Sequence, residues 1–132
     1  MADSRHELNE LSGSIIACAI EVHKTLGPGL LESAYEVCLC HELELHNIPF
    51  ERQVDLPIEY KNVRLDCGYR LDVLVANRVI VELKSVEAIT SIHKAQLLTY
   101  LKLQDCWLGL LVNFNVARLV DGVTRMVNGV ER

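Results

Sequence analysis

Over residues 5–26 the apolar positions Leu8, Leu11, Ile15, Ala19, Val22 and Leu26 recur three or four apart. That spacing draws a single stripe along a helix. Gly27-Pro28-Gly29 closes it, because proline cannot continue a helix and glycine permits the turn. A second helix is predicted from about Leu30 to His46, ended by Asn47 and Pro49. The period then shortens. Residues 50–60 and 63–75 alternate and are rich in β-formers, with Lys61-Asn62 as the turn between them. Residues 79–85 read as a third strand, and 88–103 return to helical spacing. Residues 107–114 form an apolar run of strand length, as expected for a strand buried on both faces. Residues 118–120 and 123–127, around Asp121-Gly122, read as a closing hairpin. Two helices, three strands, a helix and further strands predict an α/β sandwich with a mixed central β-sheet flanked by helices.

Composition bounds this picture. A chain of 132 residues suits one domain, so residues 1–132 are read as a single unit. Half the residues are hydrophobic and 23% are charged, which is a globular balance rather than a disordered one. The longest apolar stretches, 15–20 and 107–112, are far too short to cross a bilayer, and the polar start MADSRHELNE is no signal peptide. Cys18, Cys38, Cys40, Cys67 and Cys106 are odd in number, scattered and without a CxxC pair. They read as reduced thiols of a cytoplasmic protein rather than as a zinc site or disulfide framework. The net charge of −5 argues against a binder that holds nucleic acid by electrostatics alone. It leaves room for a metal-dependent nuclease, whose acidic ligands are offset by their cation.

The candidate chemistry lies in residues 69–85, YRLDVLVANRVIVELKS. A tight turn at Ala76-Asn77-Arg78 pairs Val75 with Val79 and Val73 with Val81. The same register sets Asp72 opposite Glu82, with Cβ atoms about 4.5–5.5 Å apart. Lys84, two residues beyond Glu82, projects from the same face. Like charges directly opposed across a sheet destabilise it, so two facing acids need an explanation. One is a divalent cation such as Mg²⁺, which takes oxygen ligands, polarises a phosphoryl oxygen and activates water. A lysine beside it can orient that water or offset developing charge. The other is a solvated salt-bridge cluster of Asp72, Glu82 and Lys84 on an exposed sheet face. Spacing does not choose between them.

Two helical groups add to this. Gln96 and Tyr100, four apart with His93 three residues earlier, share a polar face, while Leu97, Leu98 and Leu101 supply the apolar one. Alone they describe an ordinary solvated helix face. Gly29, Glu32 and Tyr35 open the second helix. The helix dipole accounts for a carboxylate at Glu32, and packing accounts for Tyr35, so neither is catalytic on these grounds.

GPGLLESAYE carries Gly29-x-x-Glu32-x-x-Tyr35 and resembles the GxxExxY family. The resemblance extends through VHKTLGPGLLESAYE (22–36), GYRLDVLV (68–75), VIVELKSVE (79–87), HKAQLLTYLKL (93–103) and LGLLVNFNV (108–116). That family is regarded as part of the PD-(D/E)XK nuclease superfamily, which implies a restriction-endonuclease-like sandwich. It implies Asp72, Glu82 and Lys84 as the core residues, with Glu32 as the acid of the first core helix. Gln96 and Tyr100 are similar to the Gln-x-x-x-Tyr pair of the recombination-exonuclease branch. Leu71 stands where the family pattern has proline, a departure that removes no ligand. The resemblance tips the balance toward a metal site, with Asp72, Glu82 and Glu32 as ligands of Mg²⁺ or Mn²⁺. The expected function is hydrolysis of phosphodiester bonds, in DNA bound weakly by the chain itself, with a protein partner or a second copy adding affinity. The alternatives are a non-catalytic nucleic-acid-associated or regulatory domain on the same fold, and a hydrolase of another phosphorylated substrate.

Overall fold

The computed structural model describes residues 4–129. Helix α1 (Arg5–Leu26) starts where the Ser4 hydroxyl accepts the Glu7 N–H at 3.0 Å, a serine cap of ordinary kind. After the Gly27-Pro28-Gly29 turn comes α2 (Glu32–Leu45). Then follow β1 (Phe50–Asp55), β2 (Ile58–Tyr60), β3 (Val63–Leu65), β4 (Arg70–Val75) and β5 (Val79–Lys84). Helix α3 (Ser91–Gln104), β6 (Leu108–Asn113), a 3₁₀ turn (Leu119–Gly122) and β7 (Val123–Val127) complete the order.

Five strands form one sheet in the order β1-β4-β5-β6-β7. Only β5 and β6 run parallel, with α3 as the crossover between them; the other neighbours are antiparallel. The sheet is thus mixed and flanked by helices, as the element order predicted. On one face α1 and α2 pack Ile15, Ala19, Leu39 and Leu43 against Val73, Val81, Leu110 and Val112. On the other, α3 packs Leu97 and Leu101 against Leu74, Ile80 and Leu111. All six residues of β6 are buried, which explains its unbroken apolar run. Gly109 lets α3 come close: a Cβ there would lie 3.0–3.2 Å from the methyl carbons of Leu97 and Leu101. Among the described residues, no helix is long and apolar enough to cross a membrane.

Several boundaries differ from the sequence reading. The segment 50–60 is two strands, broken at Leu56-Pro57, and 63–75 is broken at residues 66–69. Pro57 has no N–H for a ladder, and the Leu56 N–H turns to the Tyr69 carbonyl at 2.9 Å. The outcome is a separate β2–β3 hairpin around Lys61-Asn62, both at positive φ. Helix α2 begins at Glu32, with Leu31 extended (φ −70°, ψ 150°) as its cap and the Leu30 N–H donating to the Tyr35 hydroxyl at 3.1 Å. Helix α3 begins at Ser91, after the Thr90 cap. Residues 118–120 form no strand. Leu119 is buried as part of the 3₁₀ turn, and β7 pairs with β6 instead. At Gly122 the backbone approaches the Asn113 carbonyl too closely to carry a Cβ.

Candidate functional site: a buried acid pair where the sheet divides

The turn Ala76-Asn77 has both residues at positive φ (52° and 57°), with the Arg78 N–H bonded to the Val75 carbonyl at 2.9 Å. Such a turn matches the twist of its strands and fixes register. Val75 pairs with Val79 and Val73 with Val81, as the tight turn predicted. There the β4–β5 pairing stops, although both strands continue. β4 stays with β1 as far as the Asp55–Arg70 pair, and β5 stays with β6 as far as the Lys84–Asn113 pair. The sheet therefore divides between β4 and β5, and Asp72 and Glu82 stand at the fork.

Their carboxylates replace the missing ladder. The Asp72 N–H donates to Glu82 Oε2 at 2.8 Å, and the Leu83 N–H donates to Asp72 Oδ2 at 2.9 Å. Two backbone donors are thereby satisfied, and one oxygen of each acid is pinned. Among the described residues, the second oxygen of each carboxylate has no hydrogen-bond partner.

Glu82 is 5% exposed and Asp72 half-buried. Burial and then the charge of Asp72 push the Glu82 carboxyl up to about 8 against the pull of the Asp72 N–H and Lys84. Asp72 is raised as well, first by burial, with Glu36 and Glu32 adding to it and the Leu83 N–H and Lys84 opposing it. Lys84 is half-buried and within electrostatic reach of both acids, yet it forms no ion pair within 4 Å among the described residues. A solvated salt-bridge cluster on an exposed face does not describe this arrangement.

The end of β5 is held firmly. Phe114 N–H donates to the Lys84 carbonyl at 2.9 Å. The buried Asn113 amide clasps Val86, accepting its N–H at 3.1 Å and donating to its carbonyl at 3.0 Å. The Ser85 hydroxyl donates to the Leu30 carbonyl at 2.6 Å, tying this loop to the entry of α2.

Glu32, at the first turn of α2, is exposed and reaches Asp72 only as the weakest of its electrostatic neighbours. The acid from α2 that acts on both Asp72 and Glu82 is Glu36, one turn further on and 7% exposed. Its Oε2 accepts Nε and Nη2 of Arg52 at 3.0 and 2.8 Å, and its Oε1 accepts the Gln53 amide at 2.7 Å. Gln53 stands at φ +51° on β1, in the gap of the ladder opposite Asp72. Periodicity alone does not single out Glu36, Arg52 and Gln53. The available signal was the i, i+4 spacing of Glu32 and Glu36, and an arginine and a glutamine side by side in a strand.

Helix α3 lies against the opposite face of the sheet from α2. Tyr100 is buried there, its hydroxyl raised first by burial and then by Glu82, with Tyr69 and Asp72 adding to it. Gln96 is exposed, one turn before Tyr100. His93 closes a capping box with Thr90: its Nδ1 takes the Thr90 N–H at 3.0 Å, and the Thr90 hydroxyl takes the His93 N–H at 3.3 Å. Tyr35 is fully buried; its hydroxyl donates to the Gly27 carbonyl at 2.6 Å and its ring stacks on Phe114 at 4.3 Å. It therefore locks the α1–α2 turn. Gly29, at φ +97°, lies in that turn. The five cysteines are free thiols; Cys18, Cys40 and Cys106 are buried and Cys67 is exposed.

Among the described residues, no three His, Cys, Asp or Glu side chains gather closely enough to hold a metal between them, so Glu32 does not join Asp72 and Glu82 in one group. Mg²⁺ does not need three, since it is commonly held by one or two carboxylates, with waters and substrate phosphate completing the shell. Two carboxylates with one oxygen pinned and one open fit that requirement.

Helices on both faces of a mixed sheet, with an acid pair and a lysine where two central strands part, define a restriction-endonuclease-like α/β domain. The sequence model of the PD-(D/E)XK nuclease superfamily matches residues 9–126, and the chain belongs to that superfamily. No curated protein and no solved structure matches the chain.

Proposed function

We propose that the chain is a phosphodiesterase dependent on Mg²⁺ or Mn²⁺ and acts on DNA. The observation that supports this most is the Asp72–Glu82 pair. It is pinned by backbone N–H groups at the fork of β4 and β5, with an open oxygen on each acid and, among the described residues, no ion pair within 4 Å to neutralise them. Burial raises both carboxyls, and a divalent cation beside them would favour the ionised pair. When bound, the metal supplies positive charge against the phosphoryl oxygens and makes water acidic enough to attack. Asp72 and Glu82 hold and orient it. Lys84, fixed at the end of β5, meets the negative charge that develops on the phosphate. Gln96 and Tyr100 position these groups from the α3 side. On the α2 side the same task falls to Glu36, with Glu32 at its exposed rim.

Affinity for DNA comes partly from elsewhere. Arg52, Arg64 and Arg70 face Glu36, Asp66 and Asp55, which leaves less cationic surface for phosphates. A protein partner or a second copy of the chain fills that role.

Incubation of end-labelled DNA with the purified chain and Mn²⁺ or Mg²⁺ tests the activity. Cleavage that needs the metal and is lost in Asp72→Asn is expected. Cleavage unchanged by EDTA or by Asp72→Asn overturns the proposal. DNA binding without cleavage by the metal-loaded protein would favour the non-catalytic alternative.

A further inference from the structure

Beside the acid pair on the α3 face lies a groove of about 230 Å³, lined by Ile58, Tyr69, Gln96, Thr99, Tyr100 and Leu103. In a chain of net charge −5 this lining holds no charged residue. It is aromatic and apolar at its floor, where Tyr69 meets Tyr100 edge to face at 6.5 Å. Its rim carries the Gln96 amide, which has no hydrogen-bond partner among the described residues and offers both donor and acceptor. Tyr69 is 45% exposed, so a large part of its ring is open to solvent. Tyr100 joins the groove to the site, since it packs in one cluster with Leu71 and Ile80 on the two strands that carry Asp72 and Glu82.

The chemistry of this lining selects among parts of a nucleotide. A phosphate seeks cations or free N–H donors, and the groove offers no cation. A nucleobase is uncharged, flat and edged with donors and acceptors, which suits two tyrosine rings and one amide. Inside a duplex the base faces are covered by stacking, so only an unpaired base can enter. We propose that this groove receives an unpaired base next to the phosphate being cut, which makes single-stranded or frayed DNA the preferred substrate. The inference rests on the nuclease reading for its choice of ligand.

The test is binding of a single-stranded oligonucleotide carrying 2-aminopurine, followed by fluorescence in EDTA so that no cleavage occurs. Stacking on Tyr69 is expected to quench the probe. Tyr69→Leu, which keeps an apolar side chain but removes the ring, should weaken single-strand binding about tenfold. Leu103→Glu, which puts a negative charge in the groove from an exposed position, should weaken it too; circular dichroism verifies that both variants are folded. Equal quenching and affinity in wild type and both variants overturns the inference, as does a duplex of the same sequence bound as tightly as the single strand. Metal-dependent cleavage with an unaltered single-strand preference in Tyr69→Leu would overturn the groove and leave the nuclease. Ring-dependent base binding without cleavage by the metal-loaded wild type would overturn the nuclease and leave the groove.

Discussion

Arg52 holds Glu36 from two nitrogens, Nε at 3.0 Å and Nη2 at 2.8 Å, both on the same carboxylate oxygen. The bond fastens β1 to α2 beside the point where β4 and β5 part. Glu36 is buried, and its other oxygen accepts the Gln53 amide. Arg52→Met should destabilise the fold by about 1–3 kcal/mol, the usual cost of a buried acceptor left partly unsatisfied. Urea denaturation measures it. A loss below about 0.5 kcal/mol would mean that Glu36 finds water instead.

Lys84→Ala should separate stability from activity. Lys84 is half-buried and has no ion pair within 4 Å among the described residues, so truncation should cost no more than about 1 kcal/mol. The hydrolytic rate should fall by roughly a hundredfold or more, as when one charge-stabilising donor is removed from an active site. Paired urea and single-turnover experiments compare the two, and full activity in the variant would reduce Lys84 to a bystander.

The metal-free protein should lose stability as pH rises. Glu82 has a folded pKa of about 8 against an ordinary 4.5. Between these values the unfolded chain has released its proton while the folded one keeps it, so the slope of stability against pH is negative in that window. Asp72 is raised too and acts with the same sign. Glu82→Gln should flatten the urea midpoint from about pH 4.5 to 8, and an unchanged slope would place the protonation elsewhere. Added Mg²⁺ favours the ionised pair, so its affinity should rise with pH across the same window.

Duplex DNA should bind weakly and with a shallow salt dependence. The slope of log K against log salt is about −0.9 per phosphate neutralised, and in a chain of net charge −5 Arg52, Arg64 and Arg70 already face Glu36, Asp66 and Asp55. Fluorescence anisotropy from low to moderate salt measures this. A steep slope of six or more phosphates would reveal a basic surface formed in the complex.

The central hairpin is legible in the sequence because the tight turn at Ala76-Asn77 fixes the register of the strands on either side. That register alone sets Asp72 opposite Glu82. What it does not disclose is that the strands part just there. Separation depends on β1 and β6 holding the outer edges, which are pairings distant in the chain. Glu36 escapes for a similar reason. It follows Tyr35 in an ordinary helix, and its burial comes from Arg52 and Gln53 on a strand sixteen and seventeen residues away. The break at Leu56-Pro57 was marked by the proline itself, whereas the 3₁₀ turn at Leu119–Gly122 is set by Leu119 entering the core. Asp121-Gly122 has the composition of a hairpin turn and is used otherwise because the Gly122 backbone packs on Asn113.

The most direct measurement is calorimetric titration of Mg²⁺ or Mn²⁺ into wild type and into the Asp72→Asn/Glu82→Gln double variant, both near pH 8. The carboxamides keep the shape of the fork while removing its charge. Wild type should bind one ion with proton release, and the double variant at least about tenfold more weakly, a difference of about 1.4 kcal/mol. Equal affinity in the two proteins would contradict the assignment of the ion to Asp72 and Glu82.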